Sequence, residues 1–82
     1  MSGNADDKQG RLVLDTRGTF CPIPIIKTSE ALRNLHSGSL LEVISDDPAI
    51  EHDLPAWCRS TGHAIRSVRR DGRDFHYIVE KR

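Results

Sequence analysis

The order of elements predicts an α+β two-layer sandwich, βαβαββ, with a mixed four-stranded sheet and both helices on one face. Three observations predict it. Two short apolar runs, Leu12–Leu14 and Leu40–Ile44, flank a segment of helical periodicity, and such a strand–helix–strand unit favours a parallel pair with a right-handed crossover. Two further strand-like segments meet at Asp71-Gly72, a hairpin signal that makes the last pair antiparallel. Finally, 82 residues bury only about 60–65% of their extended surface, enough for one sheet under one layer of helices.

The elements follow in order. Residues 1–10 are polar and read as a flexible tail; residues 11–82 form the single domain. Leu12-Val13-Leu14 is a buried strand ended by Asp15, and Asp15 to Thr19 is turn chemistry. A helix is expected from Pro22 to about Leu35, gathering Ile25, Thr28, Ser29, Ala31, Leu32 and Leu35 on one side. Gly38 stops the chain's helical run, and Leu40–Ile44 is the second strand. Asp46-Asp47-Pro48 offers a cap and a first-turn proline. Pro55 disfavours helical geometry at Leu54. A short turn over Pro48–Glu51 is therefore expected, with the main helix starting at Asp53 or Leu54 and running to Thr61. Gly62 is its C′ residue. Ala64–Arg70 and Asp74–Glu80 close the fold as a hairpin.

Composition excludes several classes. Twelve basic and twelve acidic residues cancel, which gives no overall push towards nucleic acid or an anionic membrane. No stretch reads as a secretory signal or is apolar enough to span a bilayer. A cytoplasmic, reducing setting is the expectation, so the two cysteines should matter as thiols.

Cys21-Pro22-Ile23-Pro24 carries the most chemistry. Cys21 is placed at the mouth of the first helix, as its N-cap. Unpaired N–H groups and a partial positive charge there stabilise an anion, and the thiolate is the reactive form. The expectation is a thiol pulled below its ordinary ~8.5. Pro22 and Pro24 have no N–H, which leaves Ile23 and, less well aimed, Ile25 as donors. The prolines therefore fix and present the sulfur without building a deep anion pocket.

The chain resembles the TusA/SirA-like family of small sulfur-transfer proteins. Cys21-Pro22-Ile23-Pro24 matches the family's Cys-Pro-x-Pro motif, after Leu14-Asp15 and Gly18. Leu40 to Val43, Asp47-Pro48, Asp53 to Cys58 and Gly62-His63 resemble later blocks in the right order. Thr19 departs from the leucine often found after the motif's glycine. The resemblance implies a fold like the C-terminal domain of translation initiation factor 3. It implies that Cys21 accepts sulfane sulfur as a persulfide from a cysteine desulfurase or rhodanese and passes it to the cysteine of an acceptor sulfurtransferase subunit. Recipients of this kind feed tRNA thiolation, molybdenum cofactor supply or sulfur oxidation. Gly18, Pro22, Ile23 and Pro24 would support the sulfur, and no metal or organic cofactor is implied.

Other residues have plainer readings. Cys58, beside Trp57, is a packed core cysteine rather than a resolving thiol. His36, His52, His63 and His76 show no zinc spacing. Asp46 and Asp47 are turn and cap residues, with a partner surface near Cys21 as their second reading. Lys27 and Arg33 are candidate docking charges on the first helix. Two other function classes stay open at this point. An RNA-binding module is suggested by the fold and the arginines of the hairpin, although direct nucleic-acid binding is disfavoured by the charge balance. A regulatory interaction protein would use Cys21 only structurally.

Overall fold

The computed structural model describes residues 5–6 and 12–82. The chain runs β1 (Ala5–Asp6), β2 (Leu12–Asp15), α1 (Ile23–Arg33), β3 (Leu40–Ser45), α2 (Ile50–Thr61), β4 (Ala64–Asp71) and β5 (Asp74–Glu80). From β2 onward this is the expected βαβαββ order in a four-stranded mixed sheet. β2 and β3 pair in parallel, and β5 pairs antiparallel with both β3 and β4. The two-residue β1 adds an antiparallel edge against Leu12 and Val13. Apart from β1, the segment expected to be a flexible tail lies outside the described residues.

Strand alternation decides which side the helices cover. Leu12, Leu41, Val79 and Ile65 form one cross-sheet row, and Leu14, Val43 and Tyr77 form the next. Both rows pack against Ala31 and Leu32 of α1 and against Ile50, Leu54 and Cys58 of α2. Fully burying one such aliphatic side chain contributes about 1.5–3 kcal/mol, so these two rows hold the helices on a single face. On the opposite face His76 Nδ1 lies 2.7 Å from Glu42 Oε2, between the largely buried Ile44 and Ile78.

α1 is shorter than expected at both ends. Its N-cap is Pro22, and its end is closed by the Asn34 N–H donating to the Ala31 carbonyl and the Leu35 N–H donating to the Leu32 carbonyl. The inward face is the expected one: Thr28, Ala31 and Leu32 are buried and Ile25 and Leu35 pack against the core. Buried Thr28 satisfies its hydroxyl on the Pro24 carbonyl, 2.7 Å away.

α2 corrects the expectation more sharply. It runs unbroken from Ile50 to Thr61 with Pro55 inside it. An interior proline removes a backbone bond and costs ~3 kcal/mol. Three features offset that cost. Ile50, Leu54 and Cys58 recur every four residues and are all buried, so the core holds the helical phase across the proline. The carbonyl that Pro55 leaves unpaired belongs to Glu51, an exposed residue, where water can reach it. The entry turn is wound tightly: Ile50, Glu51 and His52 donate to the carbonyls of Asp47, Pro48 and Ala49. Gly62 is the helix stop as expected, with φ +88° and its N–H on the Cys58 carbonyl, a left-handed geometry that glycine adopts without strain.

The hairpin also shifts by one residue. Asp71 pairs with Asp74, so the turn is Gly72-Arg73, and a register irregularity falls between Ile65 and Ser67. Among the described residues no helix is long and apolar enough to cross a membrane.

Candidate functional site

The loop from Thr16 to Pro22 carries Cys21 from the end of β2 to the start of α1, and side chains brace it throughout. Thr16 is buried and bonds the Ile44 carbonyl twice, through its N–H at 2.8 Å and its hydroxyl at 2.6 Å. The Thr19 hydroxyl closes the turn onto the Thr16 carbonyl at 2.6 Å. Arg17 clips the loop's start, reaching Asp15 at 2.7 Å and Asp74 at 3.1 Å. Gly18 has φ +83°, a turn that a side chain would strain.

The two adjacent aspartates complete the brace. Asp46 Oδ1 accepts the Gly18 N–H at 3.1 Å. Asp47 Oδ2 accepts the Cys21 N–H at 3.0 Å, while its Oδ1 accepts the Ala49 N–H at 3.1 Å. Asp47 thus ties the sulfur-bearing residue to the entry of α2. Both aspartates were expected to be turn residues or partner surface; their contacts make them the scaffold of the Cys21 loop.

Cys21 is exposed. It borders a shallow notch lined with Pro24, Ile25, Asp47, Ile50 and Asp53, at the meeting of the two helix starts. Asp53, in the first turn of α2, lines the same notch as Cys21. From the sequence, Asp53 is expected only at the start of the main second helix, not beside Cys21. Its only sequence signal was membership in the Asp53-to-Cys58 block.

The electrostatics reverse an expectation. Cys21 precedes the N-cap instead of occupying it, and the helix-start donors point elsewhere. The Ile23 N–H bonds the Phe20 carbonyl at 2.8 Å and the Cys21 N–H bonds Asp47. Hydrogen bonding to Asp53, then lost solvation and the charges of Asp53 and Asp47, push the Cys21 thiol up from its ordinary value. The thiol bond in turn holds Asp53 below the usual carboxylate range. The surroundings of the exposed Cys21 sulfur therefore disfavour its thiolate.

The remaining candidates separate. Pro22 and Ile23 are exposed at the helix start and Pro24 is buried beneath it. Phe20, 71% exposed, Ile23 and Ile26 leave apolar surface uncovered beside the sulfur; Phe20 and Ile26 were not singled out from sequence. Lys27 is exposed one turn into α1, whereas Arg33 stands in its last turn, about 15 Å away along the axis, and is not brought to the site. Cys58 is buried, and burial pushes its thiol up to about 11. His63 borders the end of α2, its ring 5.4 Å from Trp57 and its Nδ1 accepting the Arg82 N–H.

Comparison with known proteins places this arrangement. A SirA-like protein from Desulfitobacterium hafniense has the same fold, with a TM-score of 0.73 and 23% identity, over 83% of this chain and 93% of that one. A protein named sulfur carrier protein TusA in Pseudomonas putida is 37% identical over 70 residues, which is 85% of this chain and 88% of that protein. A relative in Aquifex aeolicus is 39% identical over 66 residues, 79% of this chain but only 34% of that longer protein. The family model for Sulfurtransferase TusA matches residues 12–81, a span that takes in the braced loop, both helices and the whole four-stranded sheet. With its exposed Cys-Pro-x-Pro cysteine on that framework, the chain belongs to the TusA sulfurtransferase family.

Proposed function

We propose that the chain is a sulfur carrier that holds sulfane sulfur as a persulfide on Cys21. The observation that supports this most is the exposure of Cys21 on a loop braced at Thr16, Gly18, Thr19 and Cys21 itself. A carrier must meet two proteins in turn, so its sulfur has to be reachable and held still; a deep pocket would obstruct both encounters.

The chemistry is exchange between sulfur centres. The Cys21 sulfur attacks the terminal sulfur of a donor persulfide. The new Sγ–S bond forms as the donor's S–S bond breaks, and the electron pair leaves on the donor cysteine, which takes up the Cys21 proton. An acceptor cysteine then repeats the step on the outer sulfur, and Cys21 returns to the thiol. No net oxidation occurs, so no metal or organic cofactor is needed. The donor is a cysteine desulfurase or rhodanese, and the acceptor a sulfurtransferase subunit in the reducing cytoplasm. Phe20, Ile23 and Ile26 supply apolar surface for protein contact beside the sulfur. Because the neighbouring carboxylates disfavour the thiolate, orientation on a docked donor matters more than the acidity of the free thiol.

Incubation with a cysteine desulfurase and cysteine is expected to raise the intact mass by one sulfur atom. The Cys21→Ala variant is expected to keep its unmodified mass. Sulfur loading that persists in that variant would overturn the assignment.

A further inference from the structure

The two carboxylates at the sulfur have a consequence for which donors can use it. We propose that Asp53, with Asp47 beside it, makes Cys21 selective against anionic small-molecule sulfur donors, so that free polysulfide loads it several-fold more slowly than it would without that charge, which favours a docked protein as the donor. This rests on the carrier reading above and names the residues that restrict its substrate.

The geometry supports it as follows. The notch beside the thiol is walled by Pro24, Ile25 and Ile50, and its polar groups are Asp47 and Asp53. Asp47 is committed on both oxygens, to the N–H groups of Cys21 and Ala49, so its charge is fixed in place. Asp53 faces the thiol, and its neighbour His52, 89% exposed, lies 3.4 Å from its Oδ1. The charged groups that act on Cys21 are these two carboxylates. Four backbone positions next to the sulfur offer an anion nothing: Pro22 and Pro24 have no N–H, and the N–H groups of Cys21 and Ile23 are occupied.

A polysulfide dianion must bring its terminal sulfur to Sγ against this field. In the step that is slowed, the Cys21 sulfur bonds to the terminal sulfur and the adjacent S–S bond breaks. The pair leaves on the shortened polysulfide, which takes the thiol proton. Both reactant and leaving group are anions near Asp53. One like charge at about 4 Å in water costs ~1 kcal/mol, or about fivefold in rate. A protein donor offsets the same repulsion through contact with the exposed Phe20, Ile23 and Ile26, which a small anion does not make.

The test compares the full-length chain with Asp53→Asn and Asp53→Glu. Alkylation of Cys21 is timed with neutral iodoacetamide and anionic iodoacetate. Any change in thiol ionisation alters both rates, so their ratio isolates the charge effect. The iodoacetate-to-iodoacetamide ratio is expected to rise about fivefold in Asp53→Asn and to stay at the wild-type value in Asp53→Glu. In wild type it should rise in 1 M salt, where the screening length is only about 3 Å. Loading by inorganic polysulfide should gain in Asp53→Asn beyond the gain seen with iodoacetamide. An unchanged ratio in Asp53→Asn, or polysulfide loading of wild type as fast as of that variant, overturns the proposal. A chain that takes no sulfur from a desulfurase yet shows the altered ratio overturns the carrier reading and leaves the charge selectivity standing.

Discussion

Cys21 and Cys58 carry the same thiol in opposite surroundings. Both are pushed up in pKa, for different reasons. Cys58 is 3% exposed, and burial alone accounts for its rise to about 11. Cys21 is exposed, and a neighbouring carboxylate leads the causes. Acidity therefore does not separate the reactive cysteine from the inert one. Access does, together with a restraint on Cys21 that a single substitution, or a partner's charge, can relieve. No single neighbour does the same for Cys58, whose restraint is the core itself.

The sharpest way to break this comparison is to remove each sulfur in turn. Cys21→Ser is expected to abolish sulfur loading, read by intact mass, and to leave the melting temperature in place. Cys58→Ala is expected to load fully. A Cys58→Ala protein that folds but fails to load would give Cys58 a role in transfer.

Alkylation of the native protein should show the next largest effect. Cys21 reacts at the rate of an exposed thiol, while Cys58 reacts only from opened states, which are populated at about one part in a thousand or less. Peptide mapping after timed iodoacetamide treatment reads both sites at once.

Smaller effects concern stability. Cys58→Ala leaves a gap in the cluster around Leu54 and Tyr77 and should cost about 1–2 kcal/mol in denaturant unfolding. The pH dependence has a definite sign. Burial pushes the folded Cys58 thiol up to about 11 from an ordinary value of 9.0. Above the lower value the unfolded chain binds fewer protons than the folded one. The stabilising contribution is therefore complete below about 9 and is lost as pH rises towards about 11. Cys58→Ala should flatten the stability curve in that window relative to wild type. The smallest effect is expected for Asp47→Asn, which weakens the tie between Cys21 and the start of α2. A loss of about 1 kcal/mol with only modestly slower loading would fit its scaffolding contacts.

Much of the fold was legible because local signals and tertiary packing agree. The apolar run Leu40–Ile44, the helical face of Thr28, Ala31 and Leu32, and the stop at Gly62 all mean in the structure what they mean in the sequence. The misreadings fall where the two disagree. Pro55 is a local breaker, yet the buried spacing of Ile50, Leu54 and Cys58 carries the helix through it. At the site, the position of Cys21 at the mouth of the first helix was legible from its motif, but its electrostatics were not. Those depend on one residue of register, which puts Pro22 rather than Cys21 at the N-cap. They depend also on Asp53, 32 positions away, being carried to the thiol by the packing of α2 against α1. Asp46 and Asp47 were legible as turn residues, and only their partners, Gly18 and Cys21, reveal them as the brace of the loop.

The pH profile of Cys21 alkylation, measured in Cys58→Ala and again with Asp53→Asn added, tests the central claim most directly. The account predicts a midpoint above that of an ordinary thiol, moving down when Asp53 loses its charge. A midpoint below the ordinary value and indifferent to Asp53, as a thiolate stabilised by the helix start would give, would contradict it.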